Sequence, residues 1–393
     1  MPAPPSSRTP LCLRQLGDTS GPSPVETAAD LRNHLAAVPD PRGRRGIRHP
    51  WAALLAAAAA AVVAGAAPVT AIAEWVADAP QRVLALLGFR PDPLTGLIRP
   101  PHATTIPLVL AAAHGDAPDR AIGDFPQERT APAAGRRVIS VDGKTLRGSC
   151  TAQCLAVALI AAMTRSGQAL AQRQVDGKSN EIPAFAPLLD GTDPTGAAVT
   201  ADALHTQHDH ATYPHEREAH DLAAAKRNHP ALHESVRRLP WRDVRLDPYE
   251  RGRGHHREKI RRPKSAAFAH LDHPYARQAL QVVRWRRKLG TGEPTIERIH
   301  PVTSLPPGAA TGSAPAAWTR GHRHTENQLH HVRDRTLRED APKIRTRHLP
   351  RVMAGLRNLG VGAHRQDGHT NTAAALRHTA RDRLRPLTAL GPT

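Results

Sequence analysis

Aromatic side chains are scarce: Trp, Phe and Tyr together make up 3% of the 393 residues. The core of a chain this long, enough for two or three domains, must then be built from Ala, Leu and Val. Cysteine is nearly absent. Cys12, Cys150 and Cys154 are odd in number and lack metal-site spacing, which excludes a disulfide scaffold and points to a reducing, cytoplasmic setting. Acidic residues are few, 35 against 54 Lys and Arg, so the formal net charge is +19, with 24 His in addition. A surface so basic favours a polyanion as partner. No apolar signal core occurs in the N-terminal region, so secretion is not expected, and the Pro- and Ser-rich residues 1–25 read as a disordered leader. The one long apolar run, WAALLAAAAAAVVAGAAPV at 51–69, is mostly Ala and is interrupted by Pro68. It is expected to be a buried helix, with no membrane partner; on the rival reading the preceding PDPRGRRGIRHP would be a juxtamembrane anchor.

Residues 26–130 read as a small helical domain: VETAADLRNHLAAV, the Ala run and APQRVLALLGF each show helical spacing or length. The Pro/Gly/Arg stretch 129–137 marks a boundary. A mixed α/β pattern follows and defines a second domain, 136–350. VISVDG reads as a strand, CLAVALIAAMT and ALAQRQVD as a hairpin, SNEIPAFAPLLD as a helix with Ser179 as N-cap and Glu181 near its first turn, and GAAVTADAL as a buried strand. The order is strand, strand, strand, helix, strand. Residues 205–315 read as an insertion, rich in His and basic residues, closing with the strand-like PTIERIHPVTSL. HTENQLHHVRDRTLRED is helical, and 351–393 reads as a helical C-terminal tail. No repeat of fixed period occurs.

Two β-rich runs end on an acid: Asp142 after VISV and Asp202 after AAVTA. A carboxylate at a strand end has a fixed backbone and an exposed head, the usual way to hold a hard cation such as Mg²⁺. Glu326, in HTENQLHH, has His330 one turn on and Arg333 two turns on. Acids holding two ions roughly 4 Å apart suit phosphodiester chemistry. Other roles stay open for each: Asp142 as a turn residue before Gly143, Asp202 as a cap, Glu326 as a solvated helix acid. The His clusters 205/208/210 and 322/324/330/331 raise a zinc alternative, but their spacings fit no standard zinc pattern.

VISVDGKTLRGS (138–149), VDGKSNEIP (175–183), VTADALHTQ (199–207) and RGHRHTENQLHHVRDRTLREDAPKIR (320–345) occur in the order of the blocks of the DDE transposases of the H-repeat-associated class of bacterial insertion sequences, which the chain resembles. AAVPDPRGRRGIRHP and TAIAEWV resemble the helical domain that precedes catalysis in that family. The resemblance spans about 30–390. It implies an α/β, ribonuclease-H-like catalytic fold carrying an insertion, and it implies Asp142, Asp202 and Glu326 as ligands of two Mg²⁺ ions, which Mn²⁺ can replace. Lys144, Arg147, Lys178 and Arg333 match positions near DNA. The implied function is binding of the element's double-stranded DNA ends by a cytoplasmic, nucleoid-associated homodimer, with Mg²⁺-dependent strand cleavage and transfer. The alternative is a decayed copy acting only as a basic DNA-binding protein, suggested by departures from the family pattern. His322, Arg323 and His324 stand where an aromatic usually precedes the last acid, and HDLAAAKRNHP (220–230) replaces a β-branched strand, which is expected to weaken the sheet.

Overall fold

A computed structural model describes residues 30–391 except 46, 130–134, 178–179, 227, 255, 269–270 and 311–312; at 203 and 320–327 it describes the backbone alone. The leader and Lys178 lie outside the described residues. Along the chain run α1 (Leu31–Ala36), α2 (Trp51–Val63), α3 (Val69–Ala77), α4 (Gln81–Leu86), α5 (Thr105–Ala112) and α6 (Ala117–Glu128). The strands then begin: β1 (Val138–Leu146), β2 (Val157–Thr164), β3 (Ala169–Val175), α7 (Phe185–Leu189), β4 (Ala198–Ala201), α8 (His208–Glu216), β5 (His220–Ala225) and α9 (Pro230–Arg237). Four long or basic strands follow, β6 (Glu250–Gly254), β7 (Arg257–Ala267), β8 (Gln278–Lys288) and β9 (Pro294–Thr303). Helices α10 (Ser313–Thr325), α11 (Leu349–Gln366), α12 (Thr372–Thr379) and α13 (Arg385–Leu390) complete the chain.

The Ala run forms α2, and its side chains from Ala53 to Val63 are all buried. Single methyl groups let neighbours close in on every side, and a helix that is apolar all round is an interior one. Among the described residues no helix is long and apolar enough to cross a membrane. At the end of α2 the Val63 carbonyl accepts from His364 Nε2 at 3.1 Å and from Thr379 Oγ1 at 2.9 Å, so α11 and α12 satisfy a group that the helix leaves open. Leu349, Met353, Leu356 and Leu390 share one core with α1–α6. The C-terminal helices are thus part of the N-terminal helical layer, which corrects the expectation of a separate tail: the apolar face of α11 has α2 to bury against.

Among the described residues nine strands form one sheet in the order β3-β2-β1-β4-β5-β9-β8-β7-β6. β1, β2 and β3 form an antiparallel meander, while β1, β4 and β5 run parallel. The Ala-rich segment expected to weaken the sheet is β5, and it is fully integrated. Ala198 to Thr200 of β4 pair with its first half and β9 pairs with its second. Asp221 within it is buried and engaged. Its Oδ2 lies 2.9 Å from His273 Nε2, its Oδ1 accepts from the Ser304 backbone N–H, and its own N–H donates to Ser304 Oγ. Small side chains suit a central strand that is packed on both faces. Beyond β5, the β6–β9 arm extends the same sheet.

Burial has opposite consequences for the two kinds of titratable group inside. It holds the His364 and His300 imidazoles down at about 4, since a charge there would be poorly solvated. Unfolded, they titrate near 6.5, so the stability gained by keeping them neutral is complete above pH 6.5 and is lost as pH falls from 6.5 towards 4. Burial raises the Asp119 carboxyl from 3.8 to about 6, against the pull of Arg351, so its contribution runs the other way, growing as pH falls through 6. Two histidines outweigh one aspartate. Between pH 7 and pH 5 these three groups are expected to remove on the order of 2 kcal/mol of stability, and His364→Gln should shrink that loss in calorimetric melts.

Candidate active site

Val138 to Val141 of β1 pair in parallel register with Ala198 to Ala201 of β4. The next residues are Asp142 and Asp202, which are therefore side by side; Asp202 follows the last residue of β4, whereas β1 runs on to Leu146, so Asp142 sits within its strand and not at the strand end expected from the sequence. Directly beneath them Thr200 Oγ1 donates to Ser140 Oγ at 3.0 Å, both buried, tying the two strands together below the acids. Asp142 stays in the β1–β2 ladder opposite Ala161, and its Oδ2 lies 3.4 Å from His330 Nδ1. Asp202 is exposed; its Oδ1 accepts from the Leu204 N–H at 2.8 Å, so it also caps the short 3₁₀ turn Ala203–His205. The side chain expected from the sequence to hold a cation is thus a cap in the structure.

Glu326 begins a π-helical turn, Glu326–His330, that continues α10. Trp318 of α10 packs with Val138, Ala198 and Leu222, which seats the helix over β1, β4 and β5. His330 ends the turn at Asp142. The turn that Glu326 begins is thereby fastened to β1 at Asp142; the Glu326 side chain lies outside the described atoms. Such π-turns interrupt helices most often at functional sites.

The basic residues expected near DNA divide. Arg147 is exposed. Lys144 is engaged by Asp334, with Nζ 2.6 Å from Oδ1. Arg333 is 1% exposed, with Nε and Nη2 held by Glu339 and Nη1 donating to Asn358 Oδ1 at 3.1 Å. Its guanidinium ties the π-helical segment to α11, which corrects the expectation that Arg333 faces DNA. Asn358 in turn donates to Gln172 of β3, and Gln172 donates to Asp119 of α6, so the network crosses from sheet to helical layer.

The described histidines form no zinc centre. His205 and His210 hydrogen-bond to each other and pack on Phe185, and among the described residues no group of three or more His, Cys, Asp or Glu is placed to hold a metal ion. A carboxylate not singled out as a site residue from the sequence, Glu181, lies against Gly143 and His205. The signal for it was its place in VDGKSNEIP, one of the blocks already matched.

The β6–β9 arm presents a second surface. Trp285 lies opposite Ile260 on one side and Ile296 on the other, and Trp285 and Ile296 are exposed. Arg253, Arg262, Arg287 and Arg298 project on the same face two residues along and are exposed, while Glu258 on that face pairs with Arg251 and Arg287.

Residues 133–358 match the family model described as the transposase DDE domain, and 32–125 match the one described as DDE_Tnp_1-associated. The chain belongs to the DDE transposase family. Among its relatives are "Putative protein YbfL" of Escherichia coli K12, 28% identical over 240 residues, and "H repeat-associated putative transposase YhhI" of the same strain, 27% identical over 240 residues. Each alignment covers 57% of this chain and 63% of the relative, so the chain spans less than two thirds of those proteins. "Putative transposase YncI" of Escherichia coli O157:H7 is 25% identical over 347 residues, covering 84% of this chain and 86% of that one. The DDE model spans the sheet, the π-turn and the start of α11, and the resemblance to the H-repeat-associated class is borne out.

Proposed function

We propose that this DDE family member is an active transposase that binds the ends of its own element as double-stranded DNA and cleaves and transfers strands with Mg²⁺. The observation that carries this reading is the parallel β1–β4 register, which sets Asp142, within β1, beside Asp202, just past the end of β4, with the turn Glu326–His330 fastened to Asp142 through His330. The strand order β3-β2-β1-β4-β5, antiparallel and then parallel, supports a ribonuclease-H-like fold for the catalytic region.

The donors suit a hard divalent cation, because Asp142 and Asp202 offer only oxygen. Glu326 would complete the set. When bound, the ions supply charge for activating a water or 3′ hydroxyl and for stabilising the leaving oxygen at phosphorus. The chain's own part is placement. The Ser140–Thr200 tie holds β1 and β4 together beside the acids, the Leu204 N–H orients the Asp202 carboxylate, and His330 orients that of Asp142. In-line attack with the phosphate so held needs no covalent protein intermediate. Arg147 and the arginine-lined face of the β6–β9 arm, with Trp285 at its centre, supply cations and a stacking surface for DNA.

The test is cleavage of DNA carrying the element's ends, with and without Mg²⁺, beside an Asp202→Ala control. Mg²⁺-dependent nicking at the ends that vanishes in the control is the expected result. Tight binding without cleavage in the parent protein would instead establish a DNA-binding protein that has lost its chemistry.

A further inference from the structure

Glu181 touches the residue after Asp142 and the turn after Asp202. A methyl group built on Gly143, the residue after Asp142, would collide with the Glu181 carboxylate, so that carboxylate is packed directly on the β1 backbone. On its other side Glu181 Oε2 lies 3.4 Å from Nε2 of His205, the last residue of the 3₁₀ turn that Asp202 caps. One side chain therefore touches both β1, beside Asp142, and the turn that fixes Asp202.

His205 is itself held from behind. His210 Nε2 lies 3.0 Å from the Ile182 carbonyl, which can only accept, so that nitrogen carries a proton and donates it. Burial, and then the neighbouring His205, pull the His210 imidazole below its ordinary range. Nδ1 of His205 lies 3.2 Å from Nδ1 of His210, which leaves Nε2 of His205 to face the Glu181 carboxylate. Phe185 stacks on His210, with ring centroids 4.1 Å apart, and closes the far side of this chain of contacts.

We propose that Glu181 is a positioning residue of the metal centre: clamped between Gly143 and His205, it sets the separation of Asp142 and Asp202. This rests on the reading of those acids as metal ligands given above. Groups that orient metal ligands without binding the ion change metal affinity or activity by about 10–100-fold when removed.

The experiment is a titration of the full chain with Mn²⁺ alone, followed by loss of the free-ion paramagnetic resonance signal, with strand cleavage measured alongside. Glu181→Ala and the near-isosteric Glu181→Gln are both examined, the second keeping the packing on Gly143 should the first fail to fold. Mn²⁺ affinity is expected to fall about tenfold or more in both, with DNA binding and melting temperature unchanged. His205→Gln should produce the same loss, and the His205→Gln/Glu181→Gln double variant no greater a one, because the two groups act as a unit. Mn²⁺ binding in Glu181→Gln equal to that of the parent overturns the proposal. So does an affinity loss that tracks a fall in melting temperature. If the parent binds Mn²⁺ no better than Asp142→Asn, the metal-centre reading itself has failed and the role of Glu181 goes with it; if Asp142→Asn alone loses the ion, only the role of Glu181 is lost.

Discussion

Asp142→Asn is expected to lower strand cleavage by about a thousandfold or more while leaving DNA binding and the melting temperature unchanged. The substitution conserves shape, so the amide that replaces the carboxylate can remain opposite Ala161 in the β1–β2 ladder and beneath His330. It removes the negative charge and one lone-pair-rich oxygen from a site proposed to hold divalent ions. Transition-state stabilisation by such ions is worth several kcal/mol, and about 4 kcal/mol is a thousandfold in rate. Single-turnover cleavage at saturating Mg²⁺, beside a filter-binding measurement on the same DNA, separates the two effects. Equal loss of binding and cleavage would show that Asp142 acts through the fold or the DNA contact and not through the chemistry.

Arg333→Ala is expected to cost about 3–5 kcal/mol of folding stability, read from the midpoint of a denaturant titration. The side chain is fully buried and shares Glu339 with Arg357, whose Nη1 lies 3.4 Å from the same carboxylate oxygen. Removing Arg333 leaves that carboxylate one partner short and opens a cavity against α11. Burial already pulls the Arg357 guanidinium below its ordinary range, so Arg357 is a weak substitute. Arg333→Lys should also be destabilising, because an ammonium cannot span the Glu339 carboxylate and Asn358 together. An Arg333→Ala protein that melts like the parent and binds DNA poorly would restore the role expected from the sequence.

The error over Arg333 has a geometric origin. Counting turns at helical spacing places a residue seven positions on roughly in line with Glu326, but Glu326–His330 and Val332–Thr336 are π-helical. Their wider turns rotate the later residues off the face that ordinary spacing assigns, and Arg333 enters the interior instead. The acids were legible because VISV and AAVTA are apolar runs followed by an acid, although β1 runs on past Asp142 to Leu146 and only Asp202 stands at a strand end. β5 was illegible because HDLAAA has no strand propensity of its own; its conformation comes from β4 on one side and β9 on the other. Glu181 was visible as an acid near the start of a short helix. Its partner His205 is 24 residues away in sequence, beyond the reach of local pattern.

The β6–β9 arm is not hung on a linker. β9 pairs with β5 through Leu222–Thr303 and Ala225–His300, and β5 pairs with β4, whose end carries Asp202. The arm and the acids thus share one continuous ladder, and the orientation of the arm is written as parity. Inserting two residues into the hairpin turns would lengthen the arm and leave its faces as they are. A single residue gained or lost between His220 and Ala225, or along β9, would exchange the faces and turn Trp285 and its arginines to the opposite side of the sheet.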